Sequence, residues 1–166
     1  GKCRDEITKL RNEGIFTPPS LQGTLEVPGN IGGTNWGGVS FDRTRRLILV
    51  NQTNLPFVVQ LIPREQAASL RRAEPNWEYA QQKGTPYVMR RRALLSPWRI
   101  PCNAPPWGTL AAVVADTGAI RWQVTLGTLR DFVPVPLPFA SGTPTLAGPL
   151  TTAGGVTFIG ATLNNY

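Results

Sequence analysis

The 166-residue chain contains no histidine. That excludes histidine-based catalytic triads, imidazole metal sites and histidine general bases. It has only two cysteines, Cys3 and Cys102, far apart and outside any Cys-x-x-Cys pattern, so neither a zinc motif nor a dithiol redox motif is present. They are either buried free thiols or one disulfide formed in an oxidising compartment. No apolar run reaches membrane-span length and no signal-type leader opens the chain. Charged residues are scarce at 16%, and acidic side chains number 10 against 17 basic ones.

Glycine (17) and proline (16) are abundant, and hydrophobic content is 41%. This length supports one domain with a real core, and many short strands joined by Gly/Pro turns predict an all-β fold. The net charge is +7. Much of the excess sits in Arg43-Thr44-Arg45-Arg46, Arg71-Arg72 and Arg90-Arg91-Arg92. None of these clusters is interleaved with aromatics in a recognition pattern, so they read as a solvated basic face with no nucleic-acid partner.

The chain is organised around Gly32-Gly33-Thr34-Asn35-Trp36-Gly37-Gly38. Glycine pairs allow positive φ and close approach. Trp36 offers a flat face and Asn35 a donor and an acceptor. The combination suits a planar ligand with polar edges, and equally a Trp packed against a tight turn.

Residues 3–13 predict a short helix, with Ile7 and Leu10 on one face and Gly14 to end it. Strands are predicted at 23–27, 38–42, 47–51, 55–63, 108–115, 119–124 and 156–161, with another expected after Asn164-Asn165-Tyr166. A short surface helix fits residues 64–72. Beyond it the chain turns polar as far as residue 100, so 64–107 reads as an excursion or long loop with aromatic anchors Trp77, Tyr79, Tyr87 and Trp98. The alternation Val133-Pro134-Val135-Pro136-Leu137-Pro138 favours polyproline II geometry. The division that follows is 1–30 helix and lead-in, 31–63 blade strands, 64–107 excursion, and 108–166 blade strands with a proline-rich loop. The strands make up roughly two four-stranded blades, too few to close a ring.

Ala112-Val113-Val114-Ala115-Asp116-Thr117-Gly118-Ala119-Ile120-Arg121-Trp122 resembles the tryptophan docking motif of quinoprotein alcohol and glucose dehydrogenases. Ala112, Thr117, Gly118 and Trp122 match that motif, whereas its usual aspartate position holds Val114. Phe16-Thr17-Pro18-Pro19-Ser20, Asn35-Trp36-Gly37-Gly38, Leu61-Ile62-Pro63-Arg64, Pro106-Trp107-Gly108, Gly148-Pro149 and Phe158-Ile159 are similar to segments of the membrane-bound glucose dehydrogenase branch. The likeness covers nearly the whole chain.

The resemblance implies a fragment, about two antiparallel blades, of an eight-bladed β-propeller that binds pyrroloquinoline quinone (PQQ) beside Ca²⁺ or Mg²⁺. It also implies that Trp122 is wedged between sheets. The parent would oxidise glucose or a related sugar or polyol on the periplasmic face of the bacterial inner membrane. A membrane anchor would pass its electrons to ubiquinone, and the start at Gly1-Lys2-Cys3 looks like a cut into that longer protein. Asn35 and Asn51 match asparagines at the cofactor site, and Trp36, Trp107 and Gly148 are further candidates for lining it. The family's catalytic base and metal ligands have no match here, so no catalytic and no metal-binding residue is nominated. A periplasmic parent makes a Cys3–Cys102 disulfide the expected pairing. A lone piece would expose blade faces, self-associate and be inactive. The competing reading is a non-catalytic propeller scaffold, which shares the blade motif but has no cofactor site.

Overall fold

In the computed structural model, which describes residues 1–134 and 140–160, strands carry the fold and helix is confined to short segments. In chain order the elements are α1 (Lys2–Ile7), β1 (Thr24–Glu26), β2 (Ser40–Asp42), β3 (Leu47–Thr53) and β4 (Phe57–Pro63). They continue with a 3₁₀ turn (Arg64–Gln66), α2 (Ala67–Ala73), β5 (Glu78–Gln81), β6 (Tyr87–Ala93), β7 (Gly108–Val114), β8 (Ile120–Thr125), β9 (Leu150–Thr151) and β10 (Thr157–Phe158). The strands form two four-stranded antiparallel sheets and a two-stranded ribbon. Two compact units result, one of residues 1–30 and 56–102, the other of 31–55 and 103–166.

The first unit holds the sheet β1-β4-β6-β5. Its centre is β4, where Phe57, Val58 and Val59 are all buried in succession. Consecutive burial means both faces of that strand are covered. The residues expected to be an excursion instead supply half of this sheet, because β5 and β6 lie within them. The arginine triplet concealed β6. Strand alternation sends Arg90 and Arg92 over the ring of Trp77, at 4.2 and 5.0 Å from its centroid. Arg91 reaches Glu78 at 2.8 Å and lies over Phe57. Arg90 is buried, its Nε donating to Gln60, its direct partner across the ladder, at 2.8 Å. Long aliphatic stems let a charged run pave a strand while each head finds an aromatic face or a carboxylate.

The N-terminal helix is shorter than predicted and ends at Ile7. Arg11 leaves the helical path because its backbone joins β1, accepting from Leu25 N–H at 3.1 Å and donating to Gly23 at 2.8 Å. Ladder bonds to a strand displace a further turn of marginal helix. Cys3 and Cys102 form a disulfide with Cα atoms 5.5 Å apart, and Arg92 donates to Glu6 at 2.6 Å, so α1 is held at both its start and its end.

The second unit holds the sheet β2-β3-β7-β8 and the β9–β10 ribbon. β3 and β7 pair over seven rungs, with Leu49 and Val50 opposite the buried Ala112 and Ala111. Here the sequence division also shifts. β3 and β4, expected in one run of blade strands, fall in different sheets. At the break, Asn54 N–H bonds to Trp107 in one unit while Pro56 accepts from Leu94 in the other. The turn after β7 is closed by Gly118 at φ 72°, where only glycine is unstrained. Trp122 is not wedged between sheets among the described residues. It stands opposite Ala112 on the outer strand β8, 39% exposed, on the same face as the exposed Val124, while Ile120, paired with Val113 beyond a shift in register, lies on the other face. The predicted 156–161 strand reduces to β10, with residue 161 and the segment after it outside the described residues, as is 135–138 of the expected polyproline stretch.

Candidate functional site

The residues singled out in the sequence gather at one end of the second sheet, where β3 finishes and β7 begins. Asn51 and Thr53 are two apart on β3, so they share a face. Both are buried, and both turn to the segment 140–149. The Asn51 amide donates from Nδ2 to Thr145 Oγ1 at 2.9 Å. Thr53 Oγ1 accepts from Thr145 N–H at 3.0 Å and donates to Thr145 carbonyl at 3.1 Å. Three hydrogen bonds between buried groups thus replace the regular ladder that proline denies this segment.

The same segment grips the start of β7. Trp107 N–H bonds to the Ser141 carbonyl and Thr143 N–H to Leu126, each at 2.8 Å. Gly108 lies so close to Gly142 and Thr143 that a Cβ there would overlap the Thr143 carbonyl. Thr143 itself is fully buried and its Oγ1 has no hydrogen-bond partner.

The Asn-Trp stretch is fastened on the same side. Gly33 and Thr53 exchange backbone bonds at 2.8 and 3.0 Å. Gly37 packs against Gly148 backbone to backbone, leaving no room for a side chain at either position. Between these anchors a turn closes from Gly38 N–H to Asn35 carbonyl at 3.0 Å. Asn35 Nδ2 donates to Ile31 carbonyl at 2.9 Å, and its Oδ1 accepts from Trp36 N–H at 2.7 Å. The amide is therefore fixed at both ends while keeping one N–H and one lone pair free to spend. Trp36 projects from this turn with 91% of its surface exposed.

The five candidates thus fall into two groups. Trp36 is presented to solvent, with the half-buried, fixed amide of Asn35 next to it in the chain. They fit a planar group with polar edges, which stacks on the indole and bonds to the amide. Asn51, Trp107 and Gly148 build the frame instead. Asn51 is 3% exposed and engaged by Thr145, and Trp107 is 2% exposed with Nε1 donating to Asn103 Oδ1 at 3.0 Å. Thr145 escaped the sequence reading, whereas the close approach expected of the glycine pairs is met at Gly37, against Gly148.

No member of this group ionises. The nearest shifted carboxyl on the same sheet is Asp42, held below the usual carboxylate range by the backbone N–H and guanidinium of Arg45. Asp116 is likewise held low by Arg46, with Nε to Oδ2 at 2.7 Å. Both are committed to arginines at turns. Among the described residues no three His, Cys, Asp or Glu side chains are grouped to hold a metal ion, and no helix is long and apolar enough to cross a membrane.

Comparison with known proteins adds a family. The sequence model of the PQQ family, described as the glucose/ethanol/alcohol dehydrogenase β-propeller domain, matches residues 1–166. The chain is 42% identical over 174 aligned residues to a quinoprotein glucose dehydrogenase of Escherichia coli (strain K12), covering 99% of this chain and 22% of that protein. It is 39% identical to a probable quinate dehydrogenase (quinone) of Xanthomonas campestris pv. juglandis, covering 99% and 22%. It is 33% identical to the large subunit of a glycerol dehydrogenase of Gluconobacter oxydans (strain 621H), covering 98% and 24%. The chain thus spans about a quarter or less of the length of these curated relatives.

Proposed function

The chain belongs to the PQQ β-propeller family of glucose/ethanol/alcohol dehydrogenases, and from that premise we propose that it is one part of a dehydrogenase oxidising glucose or a related sugar or polyol. The parent is an eight-bladed propeller on the periplasmic face of the bacterial inner membrane that hands its electrons to ubiquinone. The relatives' names support the reading, since glucose, quinate and glycerol dehydrogenases all align with nearly the entire chain. The observation that carries it is the pairing of a fixed Asn35 amide with the open face of Trp36.

PQQ supplies, when bound, a quinone able to accept the two electrons released by an alcohol carbon. Asn35 would hold an edge oxygen of it through its free N–H, and Trp36 would cover its plane. Asn51, Thr145, Trp107 and the Gly37–Gly148 contact keep that pair in place. The Ca²⁺ or Mg²⁺ ion and the base for the substrate hydroxyl are assigned to other parts of the parent. The 166-residue piece alone is inactive on this reading, because one neutral hydrogen bond from Asn35, at about 0.5–1.5 kcal/mol, does not offset the 4 kcal/mol or more that immobilising a small ligand costs.

The test is PQQ affinity in the full-length protein, followed by quenching of its tryptophan fluorescence. Replacement of Asn35 by Ala weakens PQQ binding by about tenfold, the equivalent of one hydrogen bond. Trp36→Ala weakens it by a similar factor. Unchanged affinity in both variants, or glucose-dependent dye reduction by the 166-residue chain alone, refutes the assignment.

A further inference from the structure

We propose that the cleft between α2 and the β5–β6 hairpin of the first unit is a binding site for a phosphate-bearing group, formed by Arg64, Arg71 and Arg72. The cleft measures about 440 Å³, enough for a small ligand. It is lined by those three arginines together with Ala67, Ala68, Gln81 and Val88, and by no carboxylate. Among the described residues none of the three has an ion-pair partner, whereas Arg11, Arg45, Arg46, Arg90, Arg91 and Arg92 each pair with a carboxylate. Three arginines without a carboxylate partner therefore meet at one concavity.

Two of the heads are held in place beforehand. Arg64 donates from one terminal nitrogen to the carbonyls of Gln82 and Thr85 at 2.8 and 2.6 Å, leaving its other nitrogens for a ligand. Arg71 lies 5.1 Å over the ring of Tyr79. Guanidinium forks held in fixed directions suit oxyanions, and guanidinium groups on several sides match the several oxygens of a tetrahedral phosphate better than the two of one carboxylate. Ala67, Ala68 and the buried Val88 provide apolar contact for the carbon skeleton of an ester. This site is independent of the quinone assignment, which rests on the other unit. The phosphate can come from a soluble ester or from a phospholipid headgroup.

The experiment has two arms. In the first, sn-glycerol 3-phosphate is titrated into the chain by calorimetry at low salt. In the second, sedimentation measures binding to phosphatidylglycerol vesicles against phosphatidylcholine vesicles. The double variant Arg71→Gln/Arg72→Gln loses about tenfold or more in affinity, while Arg43→Gln, an exposed arginine outside the cleft, keeps the parent value. Saturable one-to-one binding of the soluble ester with that variant pattern identifies a free phosphate ester as the ligand. Selective binding to phosphatidylglycerol alone, with the same pattern, identifies the headgroup. Absence of binding in both arms overturns the proposal, as does equal loss in Arg43→Gln or none in the double variant.

Discussion

Thr145 accepts the amide proton of Asn51 at 2.9 Å across 94 residues of sequence, and both side chains are buried. This bond fastens the proline-rich segment to the end of β3. Thr145→Val keeps the volume but leaves a buried amide N–H unpaired, which costs about 1–3 kcal/mol. Urea unfolding should record that loss, and Thr145→Ser should restore most of it. A Thr145→Val midpoint equal to the parent's contradicts the role given to the pair.

At Gly148 a Cβ would overlap the backbone of Gly37. Backbone cannot rotate aside as a side chain can, so Gly148→Ala separates the two segments and costs about 1–3 kcal/mol or more. The displacement is visible as a changed tryptophan emission from the neighbouring Trp36. Gly160→Ala, where nothing crowds the position, serves as the silent control.

The Glu26 carboxyl is raised above its ordinary value, first by burial, against the opposing pulls of the Asn30 N–H and the Arg91 charge. A carboxyl with a higher pKa folded than unfolded binds its proton more readily in the native state. Its charge therefore opposes folding at neutral pH, and stability gains as the pH falls through the folded value towards the unfolded one. Glu26→Gln should raise the melting temperature at pH 7 and flatten that segment of the profile. Asp42 has the opposite sign. Held low by Arg45, it contributes stability above its unfolded value of about 3.9, lost as pH falls through the lower folded value. Asp42→Asn should remove that acid-side slope and lower stability at neutral pH, where the ionised carboxylate contributes.

The Cys3–Cys102 bond closes a sequence separation of 99 residues. In the chain-entropy treatment a loop of that size contributes about 4–5 kcal/mol. Denaturation with and without reducing agent should differ by that order. Two titratable thiols in unfolded, unreduced protein contradict the pairing.

Trp122 and Val124 form an exposed apolar pair on one face of the outer strand β8. Such a face on an unpaired edge invites association. The isolated chain should sediment as a dimer or larger species at high concentration, and Trp122→Lys should shift it towards monomer. A monomeric parent chain at millimolar concentration contradicts this expectation.

Most strands were legible because apolar runs such as Leu47–Val50 and the Asp116-Thr117-Gly118 turn announce themselves locally. β6 was not, since its middle is three arginines whose burial depends on Trp77, Gln60 and three glutamates brought in from elsewhere. The early end of α1 was hidden for the same reason, because Arg11 is claimed by a strand thirteen residues downstream, at Thr24. At the candidate site, Asn35 and Trp36 could be read as a pair from their flanking glycines. The separation of exposed Trp36 and half-buried Asn35 from enclosed Asn51 and Trp107 could not, because it depends on Thr145 and Asn103, which carry no local pattern.

The disulfide also governs what cleavage can release. The chain passes into the second unit between residues 31 and 55 and returns before reaching Cys102, so β2 and β3 lie inside the covalent loop. A protease nick at an exposed turn such as Thr44 within that loop leaves both fragments joined, migrating as one band until a thiol is added. A nick beyond Asn103 lets the C-terminal piece separate without any reductant.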